Sequence, residues 1–310
     1  MTDLRVVFAG PYVTVQDAGR PSLMRFGVPA SGPMDAKAFA IAHAVLGNDP
    51  AATGIEISRG GLTLDCVAGQ VTVAVAGGGF ILNHTDQRMG SWAVLTLGKG
   101  DRLVIRPGPW GSWTYLAFAG RLQAPAWLGS QATHALSGYG GGILTAGQML
   151  TVEDAQVLPI AGPIPCPVWA RPRALLHAVA GPQDRFFAPE TLEAFGSQPF
   201  YLTDAYDRMG VRLRGPKIVP VGALSIPSEP ILRGSVQVNG EGVATVLLAD
   251  HQTTGGYPKI ATLLADDLDG FTQLRPQAAV RFRMITPMDA VTLARHRARV
   301  FQDYLGRIRR

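Results

Sequence analysis

The polar stretch DHQTTGGYPKIA, residues 250–261, lies between two apolar runs, VATVLLA at 243–249 and IATLLA at 260–265. Short apolar runs bounded by glycine and proline are typical of buried strands, so we predict a strand–loop–strand unit here. The pair Gly255–Gly256 favours positive φ angles and a close approach of the backbone to a ligand. This loop carries seven polar or aromatic hydrogen-bonding residues. That density predicts either a functional site or a turn whose side chains satisfy their own backbone.

The same strand pattern continues on both sides of this unit. Glycine and proline are abundant, with 37 and 23 residues, which suits many short strands joined by tight turns. Further β-rich runs are found at 62–68, 70–77, 79–83, 91–97, 101–107, 113–120, 174–181, 210–215, 234–238 and 279–285. Short strands with few helices between them indicate antiparallel sheets that close into barrels, so we predict a mainly β fold.

Two longer segments, 31–48 and 286–308, have apolar residues at helical spacing. Ser31 and Thr286 are favoured capping residues at their respective starts. A third, weaker helical pattern lies around residues 189–195. We therefore predict a few helices added to the sheets.

A proline-rich segment, AGPIPCPVWARPR at 161–173, divides the chain near its middle. Proline can continue neither a helix nor a central strand, so this segment is the natural join between two halves. Residues 97–105 and 274–282 share a faint alternation of apolar residues around a turn. We predict one domain at 1–165, with the first helix, and a second at 166–310, with the basic C-terminal helix.

Composition excludes several classes of protein. Hydrophobic residues make up 47% and charged residues 16% of the chain, which indicates a large core and argues against disorder. The net charge of +5 is concentrated in residues 295–310, so there is no broad basic face for nucleic acid. No apolar run approaches the ~18 residues of a membrane span. The first ten residues include Asp3 and Arg5 and do not resemble a secretory signal, so we expect a cytoplasmic protein. The cysteines and histidines match no metal-ligand spacing, and we predict no metal site.

Three other loops carry polar clusters. The stretch 14–35 leads into the first helix, whose start offers free N–H groups and a positive dipole end to an anion. The other two clusters lie at turns in 204–215 and 226–238. Taken singly, each loop could equally be a surface turn with salt bridges. The candidate residues in these three loops are Arg20, Ser31, Asp35, Arg208, Glu229 and Gln237.

Several motifs, in this order along the chain, together resemble one family. They are VQDAGRP (15–21), GVPASGPMD (27–35), LGN (46–48), EISRGG (56–61), DRMGVRLRG (207–215), SEPILRGSVQV (228–238) and DHQTTGGYPKIA (250–261). The sequence is similar to the carboxyltransferase-type family of allophanate hydrolase subunit 2. That family includes the C subunit of 5-oxoprolinase, the KipA proteins and half of the carboxyltransferase region of urea carboxylase. The resemblance implies two cyclophilin-like β-barrel subdomains with a few helices.

The resemblance also implies an activity. The leading hypothesis is the C subunit of an ATP-dependent 5-oxoprolinase-type complex, an amidohydrolase that converts the small molecule 5-oxo-L-proline to L-glutamate. The implied partners are two further proteins of that complex, one KipI-like and the other LamB/YcsF-like. ATP, with Mg²⁺, is then used by the assembled complex and need not be bound by this chain.

The resemblance leaves two alternatives open. The first is a biotin-dependent carboxyltransferase role, as in urea carboxylase. Biotin would then sit on a separate carrier protein, because none of Lys37, Lys99, Lys217 and Lys259 lies in a Met-Lys-Met setting. The second alternative is a regulatory antagonist that binds a KipI-like kinase inhibitor. It would need an apolar contact patch rather than a buried lysine.

For the enzyme we predict a single pocket in which these loops meet around Lys259. The Lys259 ammonium would anchor or protonate the substrate carbonyl or carboxylate, with Asp250 orienting it. Asp35 or Glu229 would take or give a proton. The predicted substrate-binding groups, which supply hydrogen bonds or hold anions, are Arg20, Ser31, Arg208, Gln237, Gln252, Thr253, Thr254, Gly256 and Tyr257.

Overall fold

The computed structural model describes residues 1–221 and 225–309. Strands dominate it, which confirms the mainly β prediction. The strands are β1 Thr2–Ala9, β2 Thr14–Gln16, β3 Gly54–Ser58, β4 Leu62–Ala68, β5 Gln70–Ala76, β6 Gly79–His84, β7 Gln87–Gly90, β8 Ala93–Gly98, β9 Arg102–Trp110, β10 Trp113–Phe118, β11 Arg121–Leu122, β12 Met149–Glu153, β13 Gly162–Pro163, β14 Leu175–Ala180, β15 Phe200–Tyr206, β16 Gly210–Arg214, β17 Glu229–Pro230, β18 Ser235–Val238, β19 Ala244–Leu247, β20 Thr254–Gly255, β21 Lys259–Leu263 and β22 Ala279–Met284. The α-helices are α1 Ala36–Ala44, α2 Pro189–Ser197, α3 Ala265–Thr272 and α4 Pro287–Ile308.

The chain divides into two compact units. Unit 1 comprises Met1–Arg20, Ser31–Arg171 and the chain from Gln302 on. Unit 2 comprises Pro21–Ala30 and Pro172–Phe301. None of the described helices is both long enough and apolar enough to cross a membrane.

Unit 1 contains two sheets. One has seven strands in the order β11-β12-β1-β4-β9-β6-β7, and the other has six in the order β13-β8-β5-β10-β3-β2. Strands of both sheets contribute to one core of fully buried aliphatic and aromatic side chains, among them Leu4, Val73 and Phe118. Alternate residues of β1 and β4 are buried, as expected for strands with one face on a core.

Unit 2 contains a closed barrel. Its seven strands follow the order β14-β21-β18-β19-β16-β15-β22, and the ring closes through parallel pairing of β14 with β22. The other neighbouring pairs are antiparallel. The predicted barrel architecture is therefore seen as a closed ring here, whereas the strands of unit 1 form two sheets around a shared core.

The structural division differs from the predicted boundary between residues 165 and 166. It falls at Arg171, and the end of α4 groups with unit 1 instead of the second domain. The reason is local packing: the Tyr304 hydroxyl donates a 2.5 Å hydrogen bond to the carbonyl of Pro165, and its ring meets Trp169 edge-on at 5.4 Å. The proline-rich segment is therefore tied into unit 1 and does not act as a free linker.

The first helix is shorter than predicted. Ser31 and Gly32 have φ angles of +55° and +86°, which no right-handed helix contains. Helix α1 instead begins after Asp35, whose carboxylate accepts a 3.0 Å hydrogen bond from the N–H of Ala38. The predicted cap at Ser31 was wrong, and Asp35 is the cap.

The C-terminal helix was predicted closely. Helix α4 spans Pro287–Ile308, and Thr286 caps it: the backbone N–H of Asp289 donates to the Thr286 hydroxyl, which in turn donates to the Asp289 carboxylate. Helix α3 was not predicted. Its Asp267 is fully buried and accepts hydrogen bonds from Arg173, Arg297 and the backbone of His177.

Candidate functional site

The polar loop 250–261 meets a second motif segment within unit 2. The short strands β17 and β20 pair so that Glu229 lies opposite Gly255. The backbone N–H of Ile231 also donates to the carbonyl of Thr253 at 3.1 Å. Strand β21 begins at Lys259, shortly after the glycines. This pairing places the carboxylate-bearing segment beside the lysine-bearing strand, although the two are far apart in sequence.

Lys259 is buried at the start of β21. Its side chain is 3% exposed, and its Nζ lies 3.6 Å from Oε2 of Glu229, whose side chain is 45% exposed. Within residues 1–221 and 225–309, Nζ makes no hydrogen bond. Burying an ammonium is costly unless hydrogen bonds compensate, and a single long ion pair compensates only partly. The corner around Lys259 is therefore short of acceptors.

Three glutamine side chains complete this corner. Gln237 lies opposite Lys259 in the barrel, so both side chains emerge on the same face. Oε1 of Gln237 accepts a 3.2 Å hydrogen bond from Gln252, while its buried Nε2 has no acceptor in the described part of the chain. Gln183 accepts a 3.2 Å hydrogen bond from the backbone N–H of Lys259 and donates to Glu229. Two buried donors, the Lys259 ammonium and the Gln237 amide, thus lack hydrogen-bond acceptors within the described part of the chain.

Glycines at two positions permit this close packing. A Cβ added at Gly181 would lie 2.1 Å from the carbonyl oxygen of Lys259, and one at Gly255 would lie 2.5 Å from Nε2 of Gln237. Neither Gly255 nor Gly256 has a φ in the left-handed region, so that part of the prediction was wrong. Glycine is needed at Gly181 and Gly255 for space.

Gln237 and Gln252 also line a cavity of about 380 Å³. Other polar groups around it are Asp207, Arg212, Asn239 and Tyr257. Lys259 does not line this cavity, but its strand pairs with Gln237, which does. The cavity offers space for a small polar molecule next to Gln237, one of the two donors that lack acceptors.

Arg208 and Asp250 form a buried pair of their own. Both side chains are 1% exposed, and the guanidinium donates two hydrogen bonds, 2.9 and 3.0 Å long, to the two carboxylate oxygens. The two charges therefore compensate each other in the core. This geometry supports a structural role for the pair, and the roles predicted for Asp250 in catalysis and for Arg208 in substrate binding stay predictions.

The remaining predicted residues of the loop contribute in different ways. Thr253 acts through its backbone carbonyl, as described above, and Thr254 is exposed within β20. The carbonyl of Gly256 accepts a 2.7 Å hydrogen bond from the backbone of Ile226. Tyr257 is 48% exposed and borders the cavity. Substrate binding by Thr253, Thr254, Gly256 and Tyr257 stays a prediction.

Two predicted site residues, Ser31 and Asp35, precede α1 in unit 1. Asp35 caps the helix, and its backbone N–H donates a 2.6 Å hydrogen bond to the Tyr115 hydroxyl. Tyr115 in turn donates to Glu56 at 3.0 Å, and burial raises the pKa of this tyrosine well above its ordinary value. Ser31 is buried and has a positive φ. The prediction that Ser31 and Asp35 share a pocket with Lys259 stays a prediction.

Arg20, also in unit 1, is 2% exposed. Its guanidinium donates to the carbonyls of Trp127 and Ala132 and lies 4.9 Å from the centroid of the Trp127 ring. It therefore holds a loop of its own unit, and anion binding by Arg20 stays a prediction. No cluster of three or more metal-ligating side chains occurs among the described residues.

Sequence reasoning missed Gln183 and the Glu56–Tyr115 pair. Gln183 follows a Gly-Pro turn directly after β14, and a polar residue at that position was the one signal available in the sequence; the structure shows that it is buried. Glu56 is fully buried within the buried strand β3, where an acidic residue is exceptional unless it is hydrogen-bonded. Neither signal reveals the hydrogen-bond partner of the residue, because Glu229, the partner of Gln183, and Tyr115, the partner of Glu56, lie far away along the chain.

The fold and the motif segments define a carboxyltransferase-type chain. The family model "Carboxyltransferase domain, subdomain A and B" matches residues 26–284, and the chain belongs to this family. This confirms the family resemblance predicted from the motifs.

Named relatives show which members of the family the chain resembles. The chain is 30% identical to the 5-oxoprolinase C subunit of Escherichia coli strain K12, over 98% of both chains. It is also 30% identical to the 5-oxoprolinase C subunit of Haemophilus influenzae, over 96% of this chain and 94% of that protein. The urea amidolyase of Lachancea kluyveri is 29% identical over 89% of this chain, which corresponds to only 16% of that enzyme.

Solved structures share the fold. The crystal structure of TTHA0988 superposes with a TM-score of 0.82 at 32% identity, over 91% of this chain and 55% of that one. The urea amidolyase of K. lactis gives a TM-score of 0.87 over 97% of this chain. At 24% identity and 20% of that enzyme's length, the second match supports the fold alone.

Proposed function

We propose that this chain is the C subunit of an ATP-dependent 5-oxoprolinase that converts 5-oxo-L-proline to L-glutamate in the cytoplasm. The support from comparison is similarity over nearly the whole length to two proteins named as 5-oxoprolinase C subunits. Both names describe one part of a larger enzyme. We propose that the partners of this chain are a KipI-like protein and a LamB/YcsF-like protein.

The observation that carries the site is the unsatisfied Lys259 ammonium beside Gln237. A carboxylate or lactam carbonyl oxygen would supply the acceptor that both groups lack. 5-Oxo-L-proline carries both kinds of oxygen on one small ring, and it fits a polar cavity of about 380 Å³. We assign Lys259 to holding this oxygen, and Gln237 to fixing its orientation.

Glu229 is the residue of this corner best placed to exchange a proton. It lies 3.6 Å from the ammonium, is held by Gln183, and keeps nearly half of its side chain in contact with solvent. When the ammonium engages substrate, the carboxylate can accept or return a proton without leaving its own hydrogen bond. Gln183 is a positioning residue, because it acts through Glu229 and the backbone of Lys259.

ATP fits this corner less well than the substrate does. The corner offers one buried ammonium and neutral amides, and its cavity adds the guanidinium of Arg212. These groups suit a carboxylate or carbonyl group, whereas a triphosphate calls for more cationic or backbone N–H donors. We therefore assign the binding of ATP and Mg²⁺ to the assembled complex and not to this corner. ATP supplies the free energy for opening the lactam.

The test is ATP-dependent glutamate formation by the three co-purified proteins. Lys259→Ala is expected to reduce the rate at saturating ATP by at least about 100-fold, because the substrate oxygen loses its charged donor. Lys217→Ala, which removes an exposed lysine of the same unit, is expected to leave the rate unchanged. An active Lys259→Ala complex would remove Lys259 from the mechanism. An inactive wild-type complex would contradict the proposed function itself.

A second candidate is a biotin-dependent carboxyltransferase. The family model and the similarity to urea amidolyases favour it. The donors at Lys259 and Gln237 also fit a carboxyl group delivered by a carrier, and this chain would bind that group without carrying biotin itself. Streptavidin capture of the native complex separates the two candidates: the carboxyltransferase requires a biotinylated partner, and the 5-oxoprolinase does not.

The same set of proteins tests the regulatory alternative. A chain that only sequesters a KipI-like inhibitor would bind the KipI-like partner and support no turnover. Binding of that partner by the Lys259→Ala variant, together with loss of glutamate formation, would favour the enzyme.

A further inference from the structure

Unit 1 contains a cavity of its own, of about 580 Å³, which the proposed function does not use. Strands β6 and β7, the end of β9 and the proline-rich segment form its walls. None of the described residues that line it is an Asp or a Glu. The aromatic, cationic and thiol residues of the lining are Phe80, Arg88, Trp92, Trp110, Cys166 and Arg171. We call this cavity the tryptophan cavity.

The pairing of three strands shapes one wall. Strand β6 lies between β7 and β9, with Ile81 opposite Gly90 and Gly79 opposite Trp110. A Cβ added at Gly79 would lie 2.2 Å from Nε1 of Trp110, so glycine is needed there for the indole to pack against the strand. A Cβ added at Gly90 would meet only the carbonyl oxygen of Phe80, at 4.0 Å. Glycine thus permits close packing of Trp110 at one position and leaves open space at the other.

Trp92 forms a fixed part of the lining. It is buried, its indole N–H donates a 3.0 Å hydrogen bond to the carbonyl of Gly78, and its own carbonyl accepts a 2.7 Å hydrogen bond from the N–H of Ile164 in the proline-rich segment. Its φ is +68°, a left-handed conformation that is rare for a bulky residue. Such conformations persist only where the surrounding structure holds them, and they cluster at ligand-binding sites. The ring of Trp92 is therefore held in place before any ligand binds.

Two arginines give the cavity a positive charge. Arg88 comes from β7, and Arg171 comes from the proline-rich segment. The Arg171 guanidinium lies 4.4 Å from the centroid of the Trp110 ring, a cation–π contact that holds this charge beside the cavity. Within residues 1–221 and 225–309, neither arginine forms an ion pair. Two guanidinium groups in a lining without carboxylates favour an anion as the ligand.

The half-buried thiol of Cys166 also lines the cavity. Burial raises the pKa of this thiol above its ordinary value, although the nearby Arg171 opposes the shift. The thiol is therefore uncharged at neutral pH, so it does not repel an anion and is a poor nucleophile. Cys66, the only other cysteine of the sequence, is buried. Cys166 is thus a natural reporter of whether the cavity is occupied.

The lining indicates the class of ligand. Guanidinium groups bind carboxylates and phosphates through paired N–H donors, and indole rings favour flat rings in offset-stacked or edge-on contact. A volume of about 580 Å³ is within the range of small-molecule sites. We propose that the tryptophan cavity binds a small aromatic anion, whose carboxylate or phosphate group meets Arg88 and Arg171 and whose ring lies against the apolar wall that includes Trp92. This inference does not depend on the proposed function, because the Lys259 corner belongs to unit 2.

The test measures how ligands protect Cys166 from alkylation in the full-length chain, at mildly alkaline pH where enough thiolate forms to react. The probes 2-naphthoate and 2-naphthyl phosphate share one ring system and differ in the anionic group. As controls, 2-naphthol supplies the ring without the anion, and acetate and inorganic phosphate supply the anion without the ring. At least one probe should slow alkylation with a Kd at least about tenfold lower than that of any control, because only the probes engage both the ring wall and the arginines. The tighter probe shows whether the site prefers a carboxylate or a phosphate.

Matched variants assign the effect to the cavity. Arg88→Gln and Arg171→Gln each remove one charge at an exposed position, so both variants should unfold at the wild-type temperature. Each should raise the Kd of the tighter probe at least about tenfold, because a charge-assisted hydrogen bond is lost. Arg121→Gln removes another exposed arginine of unit 1, outside the cavity lining, and should leave the Kd unchanged. Cys166→Ser should abolish the alkylation itself, and calorimetry with this variant gives the Kd without the reporter.

Four results would overturn the proposal. Neither probe could protect Cys166 or bind in calorimetry. The neutral 2-naphthol could bind as tightly as both probes, which would make the cavity an apolar pocket without an anion site. Inorganic phosphate or acetate could bind as tightly as the corresponding probe, which would leave a site for an adventitious ion only. Both arginine variants could keep the wild-type Kd for the tighter probe, which would place the anion away from Arg88 and Arg171.

Discussion

The buried pair Arg208–Asp250 gives a prediction that separates a structural from a catalytic role. Asp250→Asn removes one charge at nearly constant shape and leaves the Arg208 guanidinium buried, 1% exposed, without its carboxylate. Breaking a buried pair in this way costs about 3–5 kcal/mol. At about 2–4 °C per kcal/mol for a unit of this size, the unfolding temperature should fall by roughly 6–20 °C.

The double variant Arg208→Met/Asp250→Leu supplies the control. Removing both charges also removes the uncompensated guanidinium, so most of the lost stability should return. A double-mutant cycle from urea unfolding then isolates the coupling between the two side chains. If Asp250→Asn unfolds at the wild-type temperature, the structural role is refuted. If it also abolishes glutamate formation at unchanged stability, Asp250 acts in the chemistry, as the sequence-based hypothesis held.

Single contacts give three further predictions. Gly181→Ala forces a Cβ to within 2.1 Å of the carbonyl oxygen of Lys259, so β21 must shift and glutamate formation should fall markedly. The control Gly306→Ala, whose added Cβ would have no atom within 4 Å, should leave glutamate formation unchanged. Burial, partly offset by Asp49, lowers the pKa of His43 from 6.5 to about 4. Between these pH values the unfolded chain binds a proton that the folded chain does not, so the free energy of unfolding falls as pH falls through this window, by about 3 kcal/mol in all. The free energy of unfolding of His43→Gln, measured with urea, should lack this dependence on pH. Asp35→Ala removes the cap of α1 and should lower the free energy of unfolding by about 1 kcal/mol, and Asp35→Asn by less.

Each of these has an outcome that would contradict it. Full activity in Gly181→Ala would show that the Lys259 corner tolerates a displaced strand. A His43→Gln variant with the wild-type pH slope would assign the slope to another group. An Asp35→Ala variant that is as stable as wild type but inactive would indicate that Asp35 takes part in the chemistry.

Local signals in the sequence were enough for much of the fold. Strand β4 was predicted with its observed bounds, and α4 began where Thr286 and Asp289 form a capping box. These features depend on residues within a few positions of one another. Helix α1 was predicted too long, because Ser31 and Asp35 are both good caps and the sequence does not reveal which residue has positive φ. Helix α3 was missed because the charge of its buried Asp267 is compensated by arginines that lie far along the chain.

The candidate site, like the fold, could be predicted from the sequence only in part. The motif around Lys259 and the acidic residue Glu229 were identifiable as chemistry-bearing segments, and the fold brings them to 3.6 Å. The pairing of Arg208 with Asp250 and the binding of Arg20 to carbonyls could not be predicted, because a charged residue in a motif looks the same whether it faces a ligand or the core. Distance in three dimensions decides that question, and around Lys259 it depends on the register of strands that are far apart in sequence.

The most direct measurement is a crystal structure of the assembled complex with bound 5-oxo-L-proline. We predict an oxygen of the ligand within hydrogen-bonding distance, about 3 Å, of both Nζ of Lys259 and Nε2 of Gln237. A ligand bound elsewhere, with the Lys259 ammonium still facing only Glu229, would contradict it.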